Sequence, residues 1–279
     1  MKQIPEEKMR QICSEIDGRY GLYVSLPDEG EVFELHSDTV LNSASTIKIP
    51  IMALLLKDFE EGRLDPEKPE PLSEENRVRG SGILKAMSHS CKLGLYDYLV
   101  LMIILSDNSA TNHIIDAVGV DRVNAFCREN GWKTTHLAGK LFLPKPTLPD
   151  GTTDFNYTTA KDLGNMMERI LAEELVSPAA SRTMMQIMAG QQHGKFDLSL
   201  PVKKHQDPSK PLAPLPEGYV YVANKGGTLD GKALHDAAII LLPNGKRIVV
   251  TLMTGTPDNK KTLEVFKKLS RALYDHFIQ

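Results

Sequence analysis

Three short stretches of this 279-residue chain carry side chains that could together activate a nucleophile. In Ser45-Thr46-Ile47-Lys48 a hydroxyl and an amine stand three residues apart, which on a helix places both on one face, one turn apart. A serine hydroxyl is a poor nucleophile until a base takes its proton, and Lys48 is within reach to do so. Lysine acts as a base only when burial or a second cation destabilises its ammonium. Lys225, in Lys225-Gly226-Gly227-Thr228, is the candidate cation. Ser106-Asp107-Asn108 adds a second hydroxyl and an amide. At the start of a helix, backbone N–H groups and the helix dipole would favour negative charge developing beside Ser45. Taken singly, each stretch has a plainer meaning, with Ser45 and Ser106 as helix caps and Lys48 on the surface. Their joint presence favours chemistry.

The elements that must position these groups can be read from periodicity. An amphipathic helix is predicted over 6–16, then strands over 20–26 and 31–35 around Pro27-Asp28-Glu29-Gly30. Strands follow near the C-terminus over 219–224, 237–242 and 247–253, the last two joined through the Asn244-Gly245 turn, and a helix runs to residue 277. Lys225-Gly226-Gly227 is read as the end of the first of these strands. Between the two ends the chain is mostly helical, over 45–61, 95–105, 108–118, 121–129, 159–172 and 178–188. Residues 203–218, with four prolines, read as a surface loop. The fold class predicted is α/β (α+β): one antiparallel sheet built from both chain ends and flanked by helices, with an inserted all-helical lobe. A single domain spans 1–279, with an α/β lobe from 1–60 and 215–279 and a helical lobe from 61–214.

Composition narrows the function. With 33 basic and 36 acidic side chains the net charge is -3, and no basic patch suits a nucleic acid. The most apolar run, 99–105, is too short for the roughly 20 residues of a membrane span, so no membrane partner is expected. The charged N-terminus is no signal peptide, so the sequence as it stands reads as cytoplasmic, and as extracytoplasmic if a leader has been removed. Cys13, Cys91 and Cys127 lack metal or redox spacing and read as buried thiols. His113 and Asp116, one turn apart without a third ligand, read as a solvated helix face; no metal and no cofactor are expected. Gly226 to Ala233 imitates a phosphate loop, but its last position lacks the hydroxyl and no helix follows. No Gly-x-Ser-x-Gly elbow exists.

Ser45-x-x-Lys48, Ser106-Asp107-Asn108 and Lys225-Gly226-Gly227, in this order and in apolar helical settings, resemble the motif trio of the serine β-lactamase and penicillin-binding protein superfamily, class A-like branch. The resemblance covers nearly the whole chain and implies the fold just described. It implies Ser45 as nucleophile, Lys48 as base and Ser106 as proton relay to the leaving nitrogen. Asn108, Lys225, Gly227 and Thr228 would bind substrate, with the backbone N–H groups of Ser45 and Thr228 as the oxyanion hole. Two departures stand out. Gly226 replaces the family's Thr or Ser, whose hydroxyl helps bind the substrate carboxylate; Thr228 could compensate only from the strand face opposite to Gly227. And residues 134–159 contain no glutamate to activate a deacylating water, with Leu141 or a near neighbour at that position. Asp150 and Asp154 are the segment's only carboxylates and read as solvated. The expectation is an acyl-enzyme former acting on a small molecule or peptide bearing a carboxylate, of the D-alanyl peptidase or penicillin-binding type, monomeric, with poor β-lactam turnover. A true β-lactamase, with an aspartate or Lys48 serving deacylation, and a binding protein that kept only the fold are the alternatives.

Overall fold

The two ends of the chain meet in the middle of one sheet. In the computed structural model, which describes residues 2–278, β1 (Arg19–Leu26) lies antiparallel to β9 (Arg247–Gly255), with Val24 opposite Val250. β2 (Glu31–Leu35) adds to the outer edge of β1. β8 (Ala233–Leu241) and β7 (Tyr221–Leu229) extend the other side, giving the antiparallel order β2-β1-β9-β8-β7. The short pairs β3 (Leu41–Asn42) with β6 (Tyr157–Thr158), and β4 (Glu70–Pro71) with β5 (Lys92–Leu93), stand apart from it.

Strand alternation gives the sheet two apolar faces, and each is covered. Leu22, Val24, Ile240, Val250 and Leu252 pack against Met9 and Ile12 of α1 (Glu6–Cys13) and against Val265, Phe266, Leu269 and Leu273 of α8 (Asn259–Ile278). Tyr23, Ala237, Ile239, Val249 and Met253 point the other way, into the larger core shared with α6 (Ala160–Leu171) and the remaining helices. Each Val, Leu, Ile or Phe buried completely contributes about 1.5–3 kcal/mol, so both faces are strongly held.

On the helical side a 3₁₀ turn, Ala44–Ile47, feeds α2 (Lys48–Glu60), whose first nine residues are all buried. It packs on α4 (Asn108–Val118), α5 (Val120–Glu129) and α7 (Pro178–Met188), while α3 (Leu95–Ile104) packs on α4. No helix among the described residues is long and apolar enough to cross a membrane.

The structure corrects several expectations. The strand read over 219–224, with Lys225-Gly226-Gly227 at its end, begins at Tyr221 and does not finish with that segment. It continues to Leu229, because the pairing of Lys225, Gly226 and Gly227 with Ala237, Asp236 and His235 of β8 runs on through Thr228 and Leu229. The helix read over 45–61 starts as a 3₁₀ turn, and α1 ends at Cys13. His113 is not on a solvated face: it is buried, stacked on Tyr98 with ring centroids 4.2 Å apart, and its Nε2 is 3.3 Å from Glu70. Asp154 turns inward to His136 at 2.8 Å, whereas Asp150 is exposed. Cys13 and Cys127 are buried, which pushes both thiols up to about 12, but Cys91 is only half-buried.

Candidate active site

The site forms where the 3₁₀ turn, the α3–α4 loop and β7 meet. In a 3₁₀ turn residues i and i+3 eclipse, so Ser45 and Lys48 still share a side although the α-helix begins only at Lys48. Asn42 steers the chain into the turn, its Oδ1 accepting from the Ala44 N–H at 2.9 Å, and Ala44 adopts the left-handed φ of 44°. Ser45 is half-buried and lines a hollow with Asn42, Asn108, Leu141 and Thr228.

Lys48 is wholly buried, and each of its three N–H donors has an acceptor. It donates to the Ser106 carbonyl at 2.8 Å, to Ser106 Oγ at 3.0 Å and to Asn108 Oδ1 at 2.9 Å. Burial brings its ammonium from 10.5 down to about 7, against an opposing upward pull from the Asp107 carboxylate. That shift costs the charged form about 5 kcal/mol and makes a neutral amine available near neutral pH. Lys225, also wholly buried, donates to the same Ser106 Oγ at 3.0 Å and to the Gly226 carbonyl at 2.9 Å. The influence expected of Lys225 on Lys48 runs the other way. Burial, then the charges of Lys48 and Lys195, push Lys225 well below the usual lysine range.

Ser106 thus bridges two lysines, and it is held there at a cost. It is a non-glycine residue at φ 54°, a conformation that persists only where its surroundings impose it. Asp107 imposes it. One carboxylate oxygen caps α4 by accepting the Ser109 and Ala110 N–H groups at 2.9 and 3.0 Å. The other accepts those of Ile83 and Leu84 at 2.7 and 2.9 Å. Asn108 is oriented by donating its amide N–H to the Arg79 carbonyl at 3.2 Å, which leaves its oxygen for Lys48. The Arg79-Gly80-Ser81-Gly82 segment lies so close that a Cβ at Gly80 would fall 2.5 Å from Asn108 Nδ2, and one at Gly82 2.1 Å from the Asp107 carboxyl carbon.

Gly227 permits the third approach. A Cβ there would stand 3.0 Å from the Ser45 nitrogen and from Ala44 Cβ, so a larger residue would press β7 against the turn that carries Ser45. Opposite it in β8, His235 fastens the same turn, donating from Nε2 to the Asn42 carbonyl at 2.7 Å and accepting the Thr254 N–H at Nδ1 at 3.0 Å. Burial holds His235 down to about 4, so this tautomer is neutral.

A profile of the Beta-lactamase enzyme family matches residues 4–277. The chain belongs to this family. It is 25% identical over 190 residues to Beta-lactamase CARB-3 of Pseudomonas aeruginosa, which covers 67% of this chain and 64% of that protein. It is 28% identical over 133 residues to Beta-lactamase PSE-4 of the same organism, 47% of this chain and 46% of that one. The match therefore spans less than two thirds of the length of these curated relatives. A β-lactamase structure from Sphaerobacter thermophilus DSM 20745 superposes with a TM-score of 0.84 at 25% identity over 99% of both chains. PBP-A superposes with a TM-score of 0.77 at 26% identity over 98% of this chain and 100% of its own. A PBP-A mutant in an acyl-enzyme complex with penicillin-G gives 0.78 at 26%, over 98% and 99%.

In this β-lactamase-like fold the segments predicted as motifs converge. Ser45, Asn108 and Thr228 line one hollow, Ser106 joins Lys48 to Lys225, and Gly227 seats the strand. Leu141 lines the same hollow, its backbone clasped by Asn112, which accepts the Leu141 N–H at 2.7 Å and donates to its carbonyl at 3.0 Å. Asp150 and Asp154 do not line it; the one carboxylate that does is Asp230, exposed at the β7–β8 turn. Among the described residues no group of three or more His, Cys, Asp and Glu could hold a metal ion. Sequence reasoning missed His235, Asn112, the segment 79–82 and Lys195. The two glycines around Ser81 were the only visible signal among them.

Proposed function

We propose that this chain is an active-site serine hydrolase or acyltransferase of the penicillin-binding, D-alanyl peptidase type. It forms an acyl-enzyme at Ser45 and releases a β-lactam-derived acyl group slowly. The observation that carries the reading is the pair of buried lysines on the Ser106 hydroxyl, next to a hollow lined by Ser45. Neutral Lys48 takes the Ser45 hydroxyl proton as Oγ attacks the substrate carbonyl. The oxygen of the tetrahedral intermediate takes up the negative charge, facing the backbone N–H groups of Ser45 and Thr228. When the C–N bond breaks, the Ser106 hydroxyl gives its proton to the leaving nitrogen, and the ammonium of Lys48 restores it. These steps leave the enzyme acylated at Ser45, with Lys48 neutral again.

Hydrolysis of that ester needs a base for water. Leu141 offers none, which supports a long-lived adduct with β-lactams. The substrate is a small molecule or peptide with a carboxylate near the scissile carbonyl. A chromogenic cephalosporin tests the reading. It should give a burst of one turnover per protein followed by a slow phase; many fast turnovers without a burst would reject slow release, and no burst with no labelling by a fluorophosphonate would indicate a binding protein. A second reading, genuine β-lactamase turnover, draws on Lys145. It lines the same hollow, and burial lowers its ammonium to about 8 against the upward pull of Asp154, so it could serve water as a base.

A further inference from the structure

We propose that Lys195 is the residue that anchors the substrate's carboxylate, reaching from the loop after α7 into the space that Gly226 leaves free. This inference rests on the proposed acyl transfer at Ser45 and names a group that none of the three motifs contains.

Lys195 is only 6% exposed, yet its ammonium has one hydrogen bond, to the His193 carbonyl at 2.9 Å. Among the described residues no carboxylate forms an ion pair with it. Of the two acids whose charges reach it, Asp197 is paired with Lys204, and Asp236 is engaged with backbone N–H groups and an amide instead. Its Oδ2 accepts the Lys195 and Phe196 N–H groups at 2.6 and 3.0 Å and the Asn224 amide at 2.9 Å. The loop is therefore pinned by its main chain while the ammonium keeps two unspent donors, and a buried cation in this state calls for an anion.

Lys195 shares a hollow with the residues of the proposed reaction centre. A hollow of about 390 Å³ is lined by Ser45, Ser106, Lys195, Gly226 and Thr228. A Cβ at residue 226 would lie 2.4 Å from Lys195 Nζ and 2.7 Å from the His193 carbonyl oxygen, so the ammonium fills the volume of the missing side chain. Residues 226 and 228 share a strand face, which brings the Thr228 hydroxyl to the same hollow.

The other cations are less suited to the task. Lys48 has spent all three donors, and Lys225 has two bonds and stands well below the usual lysine range. Burial lowers Lys195 as well, but Asp236 and Asp197 oppose that shift. His193, beside them, is kept neutral by burial and by the three lysines. One ammonium with two free N–H groups and one hydroxyl matches the two oxygens of a single carboxylate, and no arginine lines the hollow to take a more highly charged anion.

The test uses the unreactive Ser45→Ala protein and two ligands, benzylpenicillin and its uncharged methyl ester, with binding followed by calorimetry. Benzylpenicillin should bind at least tenfold more tightly than the ester. Lys195→Met should close that gap while leaving ester affinity within twofold, and Lys195→Arg should keep part of it. Gly226→Ala, which retains the charge but crowds Nζ, should narrow the gap as well, with unfolding temperature checking that each variant folds. No preference for benzylpenicillin in Ser45→Ala, an unchanged gap in Lys195→Met, or equal weakening of both ligands would overturn the proposal. Acylation of the Ser45 protein is measured separately. A Lys195-dependent gap without any acylation leaves the carboxylate anchor standing and removes the proposed function; acylation with no such gap does the reverse.

Discussion

Acylation should follow the charge state of Lys48. With the ammonium brought down to about 7 by burial, about half of the protein holds the neutral amine at pH 7 and about one hundredth at pH 5. In the proposed mechanism the neutral form is the base, so the second-order acylation constant should rise about 50-fold from pH 5 to pH 7, gain a further factor of about two, and level off above pH 8. The charged groups around Lys48 set the midpoint. Asp107 at the start of α4 pulls it up, and Lys225 on β7, with Lys195 behind it, accepts the repulsion. Replacing Asp107 by Asn keeps an oxygen for the helix cap but removes the charge, so the midpoint should fall below that of the parent. Lys48→Arg, charged at every accessible pH, should lose 10²–10⁴-fold. Single-turnover stopped-flow with a fluorescent penicillin from pH 5 to 9 reads all three. A profile flat between pH 5 and 8, a midpoint near 10, or an upward shift in Asp107→Asn would refute burial of Lys48 as the source of its basicity.

Further expectations concern the walls of the cleft. Leu141→Glu would put a carboxylate into the hollow that Ser45 lines, and should shorten the lifetime of a labelled penicilloyl adduct at least tenfold; an unchanged lifetime would show that Leu141 does not limit water. Gly227→Ala would place a methyl 3.0 Å from the Ser45 nitrogen, so acylation should fall at least tenfold with little change in thermal unfolding. Asn112→Ala removes both side-chain bonds to the Leu141 backbone, which should cost about 2 kcal/mol, or roughly 4 to 8 °C in Tm, and speed proteolysis of the segment around residue 141.

Much of this architecture is local in origin and therefore legible. α4 and α7 begin where the sequence says they should, because Asp107 and Ser177 cap their first N–H groups and Pro178 suits a first helical position. β2 declares itself by alternation, with Phe33 and Leu35 turned inward. What no local pattern announces is how far β7 runs past Gly227, because Thr228 and Leu229 are held by pairing with Leu234 and Ala233 of β8. His113 reads as a surface residue from its helix alone; Tyr98 on α3 is what buries it. The three motifs were visible as residue types, but the depth at which Lys48 sits is a property of the packed lobe. Lys195 carried no signal at all, since its loop is fixed by Asp236, 41 residues away.

The most direct test is an intact mass measured after mixing the protein with benzylpenicillin. A mass increase of one penicilloyl group, persisting for many minutes, mapped to Ser45 and absent from Ser45→Ala, is the predicted result. No adduct on the parent protein, or one that survives in Ser45→Ala, would contradict acyl transfer at this site.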